Sequence, residues 1–232
     1  WLQLLMTVVV CAGVGAITGL ISLRTSGIAF IMITLAFAQM FFYLIVSLKQ
    51  YGGDDGLSGF SMGPLLGRFA FDLEGKVAAW YALAVLVVLF YVTRRLVNSP
   101  FGLAVRGIHE NRARMAALGT PVLRRLLAMY TSAGLLAGAA GALSAQTNAV
   151  VGLDSLSFAM SAEALVMLVL GGAGRLTGAL VGAAVFTLLH HTASSINPYH
   201  WLFVVGFLLM AVVLVSPAKA MAVLRRRLGG AQ

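Results

Sequence analysis

The chain has 232 residues, 60% of them hydrophobic and only 10% charged, with a formal net charge of +9. Soluble domains are about 45–50% apolar and about 25% charged, so these proportions exclude a water-soluble globule, a disordered chain and a disulfide scaffold. Backbone groups in lipid must be satisfied internally, which leaves helices or closed barrels. The apolar runs are long and unbroken, with a mean hydropathy of +0.96, whereas a barrel reads as short alternating strands. The expected fold is therefore all-α: a polytopic membrane helix bundle, one transmembrane domain over residues 1–232.

A spanning helix needs about 20 mostly apolar residues. In chain order the candidate spans are residues 2–23, 25–48, 77–93, 126–148, 158–174, 176–189 and 201–215, about seven in all. The chain opens on Trp1 inside the first apolar run, with no basic region or cleavage site before it, and reads as N-terminally incomplete. A polar, glycine-rich stretch at 49–76 separates the second and third spans. The longest charged segment, 94–125, separates the third and fourth. It carries seven arginines, and the tail at 216–232 carries four more basic residues. Lys and Arg accumulate on the cytoplasmic side, so both segments are expected there, and the C-terminus with them. Alternation then puts 49–76, 149–157 and 193–200 on the outer side, where Trp80, Tyr81, Tyr199 and Trp201 would sit at the interface. No basic stretch interleaves with exposed aromatics, so no nucleic-acid partner is expected.

Small residues recur at a spacing of four: Gly15 with Gly19, Gly134 with Gly138, and Gly174, Gly178 and Gly182. Such spacing lets helix backbones approach closely. Packing within the chain is the expected use, with a face between subunits as the alternative.

Residues 99–119 are the most informative stretch. Pro100 suits the first turn of a helix. Leu103, Val105, Ile108, Met115 and Leu118 alternate with Arg106, His109, Glu110, Arg112 and Arg114, predicting one short amphipathic helix at the membrane surface or in a partner's groove. Gly119 suits the position just past its end. Physical chemistry alone leaves two readings open: a solvated connector that fixes topology, or a docking element that receives force from a cytoplasmic partner.

The same stretch resembles the cytoplasmic coupling loop of ABC-importer permeases. More specifically, the chain resembles the permease family of branched-chain amino acid importers. The resemblance is carried by Arg24, Thr25, Ser26 and Gly27 leading into an apolar run to Gln39. It continues through Gly52, Gly53, Asp54, Asp55, Gly56 and Leu57, through residues 99–119, and through the glycine-rich run at 170–184. It implies a permease subunit that moves branched-chain amino acids, or a related small amino acid or amide such as urea, by alternating access. The implied partners are a second permease, two cytoplasmic ATPases and a periplasmic substrate-binding protein, in the bacterial inner membrane. Phe101, Gly102, Arg106, Glu110, Asn111, Arg114, Ala117 and Gly119 are the implied ATPase-coupling residues. Polarity inside apolar spans nominates Thr34, Gln39, Gln146, Asn148 and Glu163 for the substrate path.

No phosphate-cradling G-x-x-x-x-G-K-[ST] loop occurs, so ATP hydrolysis is expected in another subunit, and no cofactor is expected. The loop around Asp54 and Asp55 lacks the regular oxygen ligands of a calcium site. Gly56, Leu57, Ser58 and Gly59 spell the G-x-S-G of intramembrane serine proteases, with His190 or His191 as base, but Ser58 lies in a polar loop. Glu163 is the one acid inside a span, and a gradient-driven secondary transporter of a small polar solute is the alternative it supports. A retinal protein is disfavoured because the last span lacks a lysine.

Overall fold

The computed structural model describes residues 2–48, 56–58, 76–148, 150–172, 174, 176–196, 206 and 210. The chain divides into two compact units, residues 1–155 and 156–232.

The first unit contains α1 (Leu2–Ser22), α2 (Ile28–Ser47), β1 (Leu57–Ser58), α3 (Lys76–Val97), α4 (Pro100–Glu110), α5 (Arg112–Ala117), α6 (Val122–Asn148) and β2 (Val150–Val151). A single 3₁₀ turn, Leu153–Leu156, follows. The four long helices α1, α2, α3 and α6 are each apolar and long enough to cross a membrane. They match the first four expected spans to within a few residues. α1 ends where the Thr25 hydroxyl and amide both turn back onto the Ser22 carbonyl, the hydroxyl at 2.8 Å. α3 carries Arg94 and Arg95 in its last turn, where cations meet the negative end of the helix dipole.

The packed heart of this unit is α1 against α6. A methyl group built on Gly15 would stand 3.8 Å from the Gly134 Cα, and one on Gly138 would meet Cys11 Cβ at 2.5 Å. Near the other end, a methyl on Gly19 would strike the Tyr130 ring at 2.7 Å. The partners run 11 with 138, 15 with 134 and 19 with 130, so the helices are antiparallel. The two glycine pairs thus serve packing within the chain, where close backbone approach drives association in lipid. Thr18 is buried in this contact, with its hydroxyl donating to the Val14 carbonyl at 2.8 Å. By contrast α2 and α3 bury none of their residues. Their large apolar side chains, Ile28 and Trp80 among them, point outward, as suits surfaces that face lipid.

β1 and β2 form a two-residue antiparallel ladder, Leu57 opposite Val151 and Ser58 opposite Val150. It ties the loop between α2 and α3 to the chain leaving α6, and so brings together two segments that share a side in the expected topology.

The second unit holds α7 (Phe158–Gly171) and α8 (Leu176–Ile196). Two separate spans are expected here, and the structure does not confirm them. α7 has 14 residues, about 21 Å at ~1.5 Å per residue, against about 30 Å of bilayer hydrocarbon. The chain turns by 115° between the two helices. Among the described residues there are four helices long and apolar enough to span, or five if this bent pair counts as one span, so the expected count of about seven is not confirmed. The seventh expected span, 201–215, lies outside the described residues apart from Gly206 and Met210, as do the outer segment 197–200 and the basic tail.

Candidate functional site

α3 leads straight into the charged segment. The Ser99 amide and hydroxyl both donate to the Leu96 carbonyl, the hydroxyl at 2.6 Å. Pro100, which has no N–H to leave unsatisfied, then opens α4. The expected single helix over 100–118 is in fact two. Asn111 adopts an extended conformation (φ −153°, ψ 101°), ending α4, and its side-chain oxygen accepts from the Arg114 amide at 2.9 Å to cap α5. A short polar side chain at this point satisfies an otherwise orphaned helix donor. Met115 folds α5 back onto α4, its sulfur against Gly107. α5 closes in a Schellman turn: the Gly119 amide reaches the Ala116 carbonyl at 3.0 Å and the Thr120 amide the Met115 carbonyl at 3.1 Å. Gly119 has φ 81°, which only glycine adopts readily, in agreement with its expected place past the helix end.

This α4–α5 elbow is anchored on one side and open on the other. Phe101, Val105 and Ile108 fall on one helical face by their spacing, and Ile108 is 6% exposed. Phe101 sits under the Arg125 guanidinium of α6, 5.8 Å from ring centroid to cation. Gly102 is buried against the end of α3, where any side chain would overlap the Val97 carbonyl. Leu103, Arg106 and Glu110 occupy the opposite face and are exposed, as are Asn111, Arg112, Arg114, Ala117, Leu118 and Gly119. The implied coupling set therefore divides. Phe101 and Gly102 seat the elbow on the bundle; Arg106, Glu110, Arg114, Ala117 and Gly119 face outward; Asn111 is the joint between the helices. Leu103 and Leu118, 61% and 72% exposed, add apolar groups to the exposed surface of the elbow that residue charge alone does not single out. Replacing Asn111 with alanine is expected to destabilise the elbow by ~1 kcal/mol, in the range for lost N-caps. Faster amide exchange confined to residues 112–117 would report it.

The nominated path residues of the first unit lie on different elements or different helix faces. Gln146 accepts a hydrogen bond from the Tyr81 hydroxyl at 2.9 Å, linking α6 to α3. Asn148, two positions on and so on another face of α6, donates to Ser144 of its own helix at 3.2 Å. The Thr34 hydroxyl is taken up by the Phe30 and Ile31 carbonyls of α2 at 3.0 and 2.9 Å, and Gln39 is exposed. Glu163 is half-buried on α7 in the second unit. Tyr81 is the polar partner that sequence reasoning placed only at the interface. Ser58 belongs to the β1 ladder. No group of three or more His, Cys, Asp or Glu capable of holding a metal occurs among the described residues.

Comparison with known proteins bears directly on this arrangement. A sequence model of the family described as "Branched-chain amino acid transport system / permease component" matches residues 1–213. The chain belongs to that family. It is 26% identical, over 92% of its length, to the high-affinity branched-chain amino acid transport system permease protein LivM of Salmonella typhimurium. It is 25% identical, over the same share, to the Escherichia coli protein of that name. In each case it covers 55% of the relative, so the chain spans about half the length of the curated relatives it matches. No solved structure matches it. As a member of this permease family built from long apolar helices, it is a multi-pass membrane protein. The elbow lies inside the matched region.

Proposed function

We propose that this chain is a permease subunit of an ATP-binding-cassette importer in the bacterial inner membrane. It moves branched-chain amino acids, or a related small amino acid or amide such as urea, by alternating access. The observation that carries the reading is the elbow: exposed arginines and two exposed leucines on α4 and α5, seated on α3 and α6, in a chain of the branched-chain amino acid permease family. Exposed arginines and leucines together suit a protein partner, and the elbow's seating lets a push on α4 reach two long helices at once.

In this reading two cytoplasmic ATPases grip the elbow through Arg106, Glu110, Asn111, Arg114, Ala117 and Gly119. A second permease completes the pathway, and a periplasmic binding protein delivers the solute. The excess of Lys and Arg in 94–125 and in the tail supports a cytoplasmic elbow and C-terminus. Gln146, Asn148, Thr34, Gln39 and Glu163 remain the polar groups proposed for the path. Purification of the full-length tagged protein from native membranes in mild detergent tests the reading. An ATPase is expected to co-elute in stoichiometric amount and to hydrolyse ATP faster when a branched-chain amino acid and its binding protein are added. Recovery of the subunit as an intact carrier without any ATPase, still taking up solute on an ion gradient, would overturn it.

A further inference from the structure

Three long helices bring exposed arginines to one end of the first unit. Gly102 is buried against Val97, the last residue of α3, and Phe101 lies under Arg125 in the first turn of α6. The first turn of α4 therefore ties the end of α3 to the start of α6. α1 joins them through its antiparallel contact. A methyl group on Gly19 would meet Tyr130 and Leu127, so the end of α1 runs on toward the start of α6. Arg24 follows two residues past α1, Arg94 and Arg95 stand in the last turn of α3, and Arg124 is the third residue of α6. All four are exposed.

Helix length sets their depth. α3 has 22 residues, about 33 Å at ~1.5 Å per residue, against about 30 Å of bilayer hydrocarbon. Centred in the bilayer, its last turn reaches the headgroup layer. α6 is longer, with 27 residues, so its first turn reaches that layer too. Arginine stems lie along apolar surface while the charged heads extend toward the phosphates.

The chain supplies these charges with little internal counter-charge. Between Lys76 and Leu153 the one acid in the sequence is Glu110, against seven arginines. Asp54, Asp55 and Asp154 stand within three residues of the β1–β2 ladder, beyond the opposite end of α6. Asp72 and Glu74 immediately precede the opposite end of α3, and the seventh acid, Glu163, is on α7. Neutralisation at this end must come from another molecule, and at headgroup depth the anions within reach are lipid phosphates. Clusters of four or more basic residues at the end of a spanning helix attract anionic lipid, and a guanidinium can hold a phosphate through two parallel hydrogen bonds.

We propose that Arg24, Arg94, Arg95 and Arg124 form a surface that binds anionic phospholipid headgroups around this end of α1, α3 and α6. Arg106, Arg112 and Arg114, on the elbow beyond the helix ends, are not part of it. The surface depends neither on the solute nor on any ATPase.

Lipid retention by the full-length protein tests it. The protein is reconstituted in vesicles of equal phosphatidylglycerol and phosphatidylcholine, extracted in mild detergent, and its retained lipids are counted by mass spectrometry. The parent is expected to retain phosphatidylglycerol in clear excess. Attraction to an anionic surface is worth about fivefold per arginine, so combining Arg94→Gln, Arg95→Gln and Arg124→Gln should lower the ratio by about tenfold or more. Arg124→Gln alone should lower it about fivefold, and serves if the triple variant fails to accumulate. Arg106→Gln, Arg112→Gln and Arg114→Gln combined remove the same charge from the elbow and should leave most of the excess in place. Inorganic phosphate added at constant ionic strength should displace none of the lipid. A parent without the excess would overturn the proposal, as would glutamine variants of α3 and α6 that keep it. An equal fall in the elbow variant would show that net charge alone sets the ratio, and displacement by phosphate would assign the arginines to a soluble anion. Either result also overturns it.

Discussion

Gly182→Val is expected to separate α7 from α8 and to give a subunit that inserts but unfolds in detergent well below the parent temperature. The valine Cβ would overlap the Met167 carbonyl and stand within 2.8 Å of the Gly171 Cα. Backbone cannot rotate away as a side chain can, so the two helices must part. Inserting bulk into a well-packed contact costs about 1–3 kcal/mol, occasionally more, and a backbone-on-backbone clash belongs at the upper end. Loss of that amount removes a large part of the net stability of an ordinary domain, about 5–15 kcal/mol. Gly13→Ala is the control, because no described residue lies within 4 Å of its Cβ position. Size-exclusion profiles after graded heating read the difference. Equal midpoints for Gly182→Val and Gly13→Ala would show that the α7–α8 contact contributes nothing.

The second large effect is expected at the elbow. Arg106→Glu and Arg114→Glu each place a negative charge on the exposed face while leaving the anchoring residues Phe101, Gly102 and Ile108 untouched. Both side chains lie outside the spanning helices, so insertion and the α1–α6 contact should be unchanged. A like charge brought against a partner's acidic groups costs several kcal/mol, and each 1.4 kcal/mol is about tenfold in affinity. In the importer proposed above, uptake should therefore fall by about two orders of magnitude, with less ATPase recovered alongside the subunit. Full uptake by both reversals would remove the elbow from the coupling route.

The sequence made much of this arrangement legible, and the exceptions have physical causes. α1, α2, α3 and α6 follow from uninterrupted apolar runs, because in lipid a helix is the only open-ended way to satisfy the backbone. The glycine pairs on α1 and α6 were readable as packing faces for the same reason. The break at Asn111 was missed because apolar and charged residues continue their helical rhythm through it. The available signal was the asparagine itself, a strong N-cap three residues ahead of Arg114. Hydropathy counts α7 and α8 as two spans because it registers apolar length and is blind to the 115° turn between them. Gly171 and Gly172 cut the first helix short, and no hydropathy window registers that. Polarity alone does not say which way a path residue faces: a threonine in a membrane helix, such as Thr34, satisfies its hydroxyl on its own backbone.

The α1–α6 contact also sets a timetable for biogenesis. The two helices with the most extensive contact among the described residues are separated by about a hundred residues of chain, from Ser22 to Val122. At roughly 5–20 residues per second of synthesis, α1 waits some 5–20 s in the bilayer before its mate emerges from the ribosome. Through that interval its small-residue seam is open to any passing helix, and the nascent protein is at its most vulnerable to mispairing.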